Sequence, residues 1–128
     1  MAAGSIFNET DYEILQTLIG FIKENAPEPR KITYKELAGL VDNPSVIPIN
    51  MGSHLGRIGE VISATNNLTH APIPNSIVVN QGTDKAGDGY DELMRSISKS
   101  EPSIQDIYDY KNWDLILDLA KGKVGKPV

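Results

Sequence analysis

The chain contains no cysteine. Disulfides, thiolate metal sites and cysteine nucleophiles are therefore excluded. Histidine occurs twice, at His54 and His70, with no His-x-x-x-His or His-x-Glu spacing to suggest a metal. No apolar run approaches the roughly 20 residues of a membrane helix. Residues 1–8 carry neither the basic start nor the apolar stretch of a secretory signal. Together with the missing cysteine, this leads us to expect a cytoplasmic protein.

Other motifs are missing too. Gly82, Gly87 and Gly89 do not build a phosphate loop, because no Gly-Lys-Ser/Thr follows. Asp84, Asp88 and Asp91 lack the spacing and the terminal glutamate of a calcium loop. Ser53, Ser63 and Ser76 sit in no Gly-x-Ser-x-Gly elbow. No acid–base pair for a small nuclease can be assembled either. The sequence therefore predicts a non-enzymatic chain with no cofactor and no metal.

What is present is ordinary globular composition, with 40 % hydrophobic and 23 % charged residues over 128 positions. That length fits one domain. The net charge is −5. Acid excess is spread along the chain, with 8 acids against 5 bases in residues 1–66 and 9 against 7 thereafter. Such a surface repels a phosphate backbone and favours a basic protein as partner.

Thr10 to Glu13 fits a capping box, and Ile14, Leu15, Leu18, Phe21 and Ile22 follow at helical spacing. Pro27 and Pro29 end that helix near Asn25. Thr33 to Glu36 opens a second, short helix with Tyr34, Leu37, Ala38 and Val41 inward. A third helix is expected from between Pro48 and Asn50 to about Asn66. Its buried face is Met51, Leu55, Ile58 and Ile62, packed across residues 34–41. Gly52, Gly56 and Gly59 weaken it by roughly 1 kcal/mol each relative to alanine, which close approach of another backbone would offset.

Residues 66–73 read as a loop and 76–80 as a strand, because Ile77, Val78 and Val79 are β-branched. A glycine-rich hairpin over 81–89 and a helix over 90–97 follow. Ser100 to Pro102 looks like the start of a helix carrying Ile104, Ile107 and Tyr108. Asn112 caps a last helix over 113–121, and 122–128 reads as a frayed tail.

Several of these segments together resemble the C-terminal domain of the alkylguanine DNA alkyltransferases and their alkyltransferase-like relatives. Ile32-Thr33-Tyr34-Lys35-Glu36-Leu37-Ala38 is similar to the family's Val-Ser-Tyr-Gly-Glu-Leu-Ala. Residues 50–57 stand where that family carries its recognition helix. Pro74-Asn75-Ser76-Ile77-Val78-Val79 stands where it carries Pro-Cys-His-Arg-Val-Val, and Gly87-Asp88-Gly89-Tyr90 matches its Gly-Tyr turn. Arg57 falls one place later than the family arginine, and the Asn-Pro after the helix is absent. Asn75 cannot supply the nucleophile and Ser76 cannot supply the base of alkyl transfer.

The resemblance implies a mainly α fold: a winged helix-turn-helix-like domain with one small β-hairpin and additional C-terminal helices. Its core would span about 10–98 and its helical extension about 100–121, within one domain over 1–128. It implies DNA binding through Arg30, Lys31, Tyr34, Lys35, Ser53, His54, Arg57 and Lys85, beside a pocket of Asn75, Ser76 and Tyr90. The competing expectation is an acidic protein-binding module, such as an immunity or inhibitor protein masking a basic nuclease toxin. Its partner surface would be Asp106, Asp109, Tyr110 and Asp114, provided the aromatic rings near them are exposed. Without such exposure, Tyr108, Tyr110 and Trp113 are core. With no carboxylate arrangement for a metal or hydrolytic role, His54 and His70 read as one exposed and one hydrogen-bonded loop histidine.

Overall fold

A computed structural model describes residues 6–80, 82 and 102–127. The described chain is mainly helical. In order it contains β1 (Ile6–Phe7), α1 (Glu9–Glu24), β2 (Ile32–Thr33), α2 (Tyr34–Leu40), a 3-10 turn (Pro48–Asn50) and α3 (Met51–Ala64). Then come α4 (Asn66–Thr69), a second 3-10 turn (Pro74–Ile77), β3 (Val78–Val79), α5 (Ile104–Asp109), α6 (Trp113–Lys121) and β4 (Lys126–Pro127). Apart from residue 82, the hairpin expected over 81–89 lies outside the described residues, as does the helix over 90–97, and Lys85 and Tyr90 with them.

α1 is the hub. Its Ile14, Leu15, Leu18, Ile19 and Ile22 are buried, and it touches α2, α3, α5 and α6. The helix begins earlier than Thr10. Asn8 is its N-cap: the Asn8 side chain accepts from the Asp11 N–H at 2.8 Å, and the Asp11 carboxylate accepts from the Asn8 N–H at 2.9 Å. Asn caps at least as well as Thr, so the earlier box prevails. This register sets Asp11 in the first turn, where the helix dipole favours an anion. Asn25 ends the helix, its backbone and side-chain nitrogens both donating to the Phe21 carbonyl.

The Thr33 box forms as expected. The Glu36 N–H donates to the Thr33 hydroxyl at 3.0 Å, and the Thr33 N–H donates to the Glu36 carboxylate at 3.3 Å. Leu37 and Val41 are buried behind it. Met51, Leu55, Ile58 and Ile62 form the buried face of α3, also as expected. That face packs on α1, however, and α2 meets α3 chiefly through the Pro48–Asn50 turn rather than along its length.

Residues 66–69 form a short helix rather than a loop. The strand near residue 78 is shorter than expected, because Pro74 starts a 3-10 turn that occupies 74–77. Proline has no N–H for a ladder and suits the first position of a helical turn. The strand β3 pairs parallel with β2, Ile32 opposite Val78 and Thr33 opposite Val79. α2 and α3 make the crossover that a parallel pair requires.

The start of α5 also differs. Ser103, not Ser100, is its N-cap, boxed with Asp106 through two 3.0 Å bonds. Nor is the tail frayed. Gly125 turns at φ +83° and donates its N–H to the Phe7 carbonyl at 2.7 Å, and β4 pairs antiparallel with β1. Glycine carries no Cβ penalty in that left-handed conformation. Among the described residues no helix is long and apolar enough to cross a membrane.

Candidate functional site

Asp11 is fully buried, and α3 supplies what balances it. Arg57 donates from Nε to one carboxylate oxygen at 2.7 Å and from Nη2 to the other at 3.1 Å. His54 Nδ1 lies 2.6 Å from the second oxygen. A carboxylate facing a guanidinium only accepts, so the Nδ1 proton points at Asp11. Arg57 Nη2 is also 3.3 Å from His54 Nδ1. Both atoms are then donors, so that approach is proximity around a shared acceptor. Bidentate pairing of this kind is among the strong hydrogen-bond geometries.

This arrangement corrects two expectations. His54 is buried, not surface-exposed, and His70 is the exposed histidine. Arg57 points back at α1, its guanidinium engaged by Asp11. Arg57 is the sole base of α3. The outward side of α3 is left with Gly52 and Ser53, then half-exposed Gly56, Glu60 and Ser63. Sequence reasoning missed Asp11 altogether. A signal was available, since an Asx-x-x-Asp box puts an acid on the first turn of an otherwise apolar helix face.

The other residues expected to contact DNA lie before β2 (Arg30 and Lys31), on α2 (Tyr34 and Lys35) and on α3 (Ser53). The Arg30 guanidinium stacks on Phe21, 4.8 Å from the ring centroid, and reaches Glu36 at 3.4 Å. Tyr34 is half-buried, while Lys31, Lys35 and Ser53 are exposed. The Thr33 backbone N–H, with help from Arg30, lowers the pKa of Glu36.

Three aliphatic side chains between the end of α2 and the start of α3 are exposed. Ile49 is 89 % exposed, Leu40 56 % and Ile47 44 %. Ile49 stands on the 3-10 turn that rests against both α2 and the start of α3. A Cβ placed on Gly52 or Gly39 would meet nothing within 4 Å. Internal packing therefore does not require glycine at either position.

The turn at 74–77 is buried. Asn75 donates from Nδ2 to the Leu55 carbonyl at 2.7 Å, tying the turn to α3. Its Oδ1 and the Ser76 hydroxyl are buried and have no hydrogen-bond partner among the described residues. Among the described residues, Ser76, Lys31, Ile77, Pro102, Ser103 and Ile104 line a cavity of about 330 Å³.

No family model, curated protein or solved structure matches this chain.

The C-terminal aromatic set is internal. Tyr108 donates to the Arg30 carbonyl at 2.7 Å, Tyr110 to the Thr69 carbonyl at 2.8 Å, and Trp113 Nε1 to the Ile107 carbonyl at 3.2 Å. Tyr110 and Trp113 meet edge to face, 4.8 Å between centroids. These contacts clasp α5 and α6 onto the rest of the chain. Burial raises the Tyr108 pKa above that of a free phenol. Asp106, Asp109 and Asp114 are exposed, but the first closes its helix cap, the second accepts from Gln105 and the third pairs with Lys23. Of the rings expected beside those carboxylates, Tyr108 and Trp113 are buried and Tyr110 is half-buried.

Proposed function

We propose that this chain is a non-catalytic protein-binding module that docks a basic partner on the surface formed by Leu40, Ile47, Ile49 and the start of α3. The observation that carries it is Ile49, 89 % exposed on a turn that packs against α2, with exposed Ile47 two residues before it and exposed Leu40 at the end of α2. Clustered exposed apolar residues of this kind mark interaction sites more often than isolated ones do. A net charge of −5 favours a basic protein over a phosphate backbone. The small residues Gly52 and Ser53 let a partner approach the α3 backbone closely.

The finer fold belongs to this proposal as well. A winged-helix-like scaffold is supported by the order α1, β2, α2, α3, β3 and by the return of β3 to β2. Nucleic-acid binding, expected from the alkyltransferase resemblance, is the weaker reading. It needs cations on the outward side of α3, and the one candidate there is paired with Asp11.

Three measurements test the proposal. Ile49→Asp should abolish capture of one basic protein, while Leu115→Asp on α6 should leave it intact. A gel shift should show no retardation of duplex or single-stranded DNA at low salt. Sedimentation should show that the free chain does not cover Ile49 by self-association. Retarded DNA that depends on Lys35, or capture indifferent to Ile49→Asp, would refute it.

A further inference from the structure

Ile47 and Ile49 stand on a loop that its own polar groups close. Asn43 Oδ1 accepts from the Ser45 N–H at 3.0 Å and from the Ser45 hydroxyl at 2.7 Å. Asn50 Oδ1 accepts from the Ile47 N–H at 3.2 Å, and Asn50 Nδ2 donates to the Ser45 carbonyl at 3.2 Å. Val46 is buried, and Asn43 Nδ2 reaches Glu13 on α1 at 3.3 Å. A surface fixed before binding loses little freedom when a partner docks.

The end of α2, where this loop begins, is negative and unpaired. Asp42 is exposed, and its carboxylate has no hydrogen-bond or ion-pair partner among the described residues. The last turn of α2 carries no base, and no lysine or arginine occurs from 36 to 56. The nearest cation in sequence, Lys35, stands at the other end of α2. Glu36, the other acid of that stretch, is already met by Arg30. Among the described residues, the Gly39 and Leu40 carbonyls accept no backbone hydrogen bond. Pro44 has no N–H to offer Leu40, and the Asn43 N–H turns to the Val41 carbonyl at 2.8 Å rather than to Gly39. A helix end of this kind favours a cation.

We propose that the basic partner is anchored here by an arginine, which pairs with Asp42 and the last carbonyls of α2 while an apolar neighbour lies on Ile47 and Ile49. A guanidinium brings five donors in a planar fork, enough for a carboxylate and two carbonyls together, whereas an ammonium is a compact point charge. The apolar stem of the arginine rests on Leu40. This inference rests on the protein-binding reading and specifies the chemistry of its partner.

The test titrates the full chain with capped tripeptides, acetyl-Ile-Arg-Ile-amide and its Lys and Gln counterparts, read by amide chemical shifts. The arginine peptide should saturate shifts at Leu40, Asp42 and Ile49 with a Kd on the order of millimolar, as fragments of this size allow. The glutamine peptide should bind about fivefold more weakly, the range of an exposed ion pair, and the lysine peptide should fall between the two. Asp42→Asn should reduce the arginine peptide to the level of the glutamine peptide and leave the latter unchanged. Ile49→Ser should weaken all the peptides alike. Both positions are exposed, so both variants should melt with the parent chain. The arginine is refuted, and the docking surface stands, if the peptides bind equally and Ile49→Ser weakens them, or if Asp42→Asn keeps the preference for arginine. It is also refuted if the arginine peptide does not saturate. Arginine and docking surface fall together if no peptide shifts these amides and capture of the basic protein is indifferent to Ile49→Asp.

Discussion

Replacing Asp11 with alanine should destabilise this chain more than any single surface change. The substitution removes the acceptor of two Arg57 bonds, of the His54 contact and of the Asn8 backbone N–H. Taking one partner out of a buried ion pair costs about 3–5 kcal/mol, because the other charge is left behind. The cap adds about 1 kcal/mol. The Arg57 side chain is 20 % exposed, so water reaches the released guanidinium and holds the loss near the lower end. We expect about 3–4 kcal/mol in total, a large share of the roughly 5–15 kcal/mol that a domain possesses. In urea, with a slope of about 1–3 kcal/mol per molar, the midpoint should fall by about 1–4 M. Arg57→Met should cost less, since Asp11 keeps His54 and its own cap. A double-mutant cycle between the two should return a coupling of at least about 1 kcal/mol. A midpoint for Asp11→Ala equivalent to less than about 1 kcal/mol of destabilisation would refute the assigned network. The same pair of variants also addresses Arg57, since an arginine reserved for DNA would not be coupled to Asp11 in stability.

Two further predictions concern pH. The Glu36 carboxyl has a lowered folded pKa, so the stability it contributes is present above the ordinary glutamate value and is lost as pH falls through the lowered one. The group is exposed, so the effect is small, and Glu36→Gln should flatten only a minor part of the acid limb in urea midpoints measured below pH 5. Tyr108 shifts the other way. Its raised folded pKa means that its contribution is complete below the free phenol value near 10 and declines as pH rises through the folded one. Tyr108→Phe should therefore be less stable at neutral pH by about 0.5–1.5 kcal/mol, for the lost bond to the Arg30 carbonyl, and the gap should narrow in alkali. A gap that widens above pH 10 would contradict the assignment.

Much of the secondary structure was legible in the residue order, because it rests on contacts three or four positions apart. The Thr33 box, the end of α1 at Asn25 and the buried face of α3 all depend on such neighbours. Where local signals competed, the sequence misled. Two caps lie near the start of α1, and Asn8 prevails over Thr10. Pro74 tightens a turn into what the β-branched run suggested was all strand. The resemblance to the alkyltransferases directed attention to Arg57 as a groove residue, and nothing local could show that Asp11 lies opposite it.

Net charge, the missing thiol and the amphipathic periods were decided by the order of residues alone, since each is a count or a spacing. Tertiary structure decided the site. Asp11 meets His54 from 43 positions away and Arg57 from 46, and β4 closes on β1 from the far end of the chain. Whether a charged or hydroxyl side chain faces water, a counter-charge or the packed interior depends on which helices pack against each other. That choice is made by the apolar faces around α1, and it is what pairs Arg57, leaves Ile49 in solvent and strands the Ser76 hydroxyl.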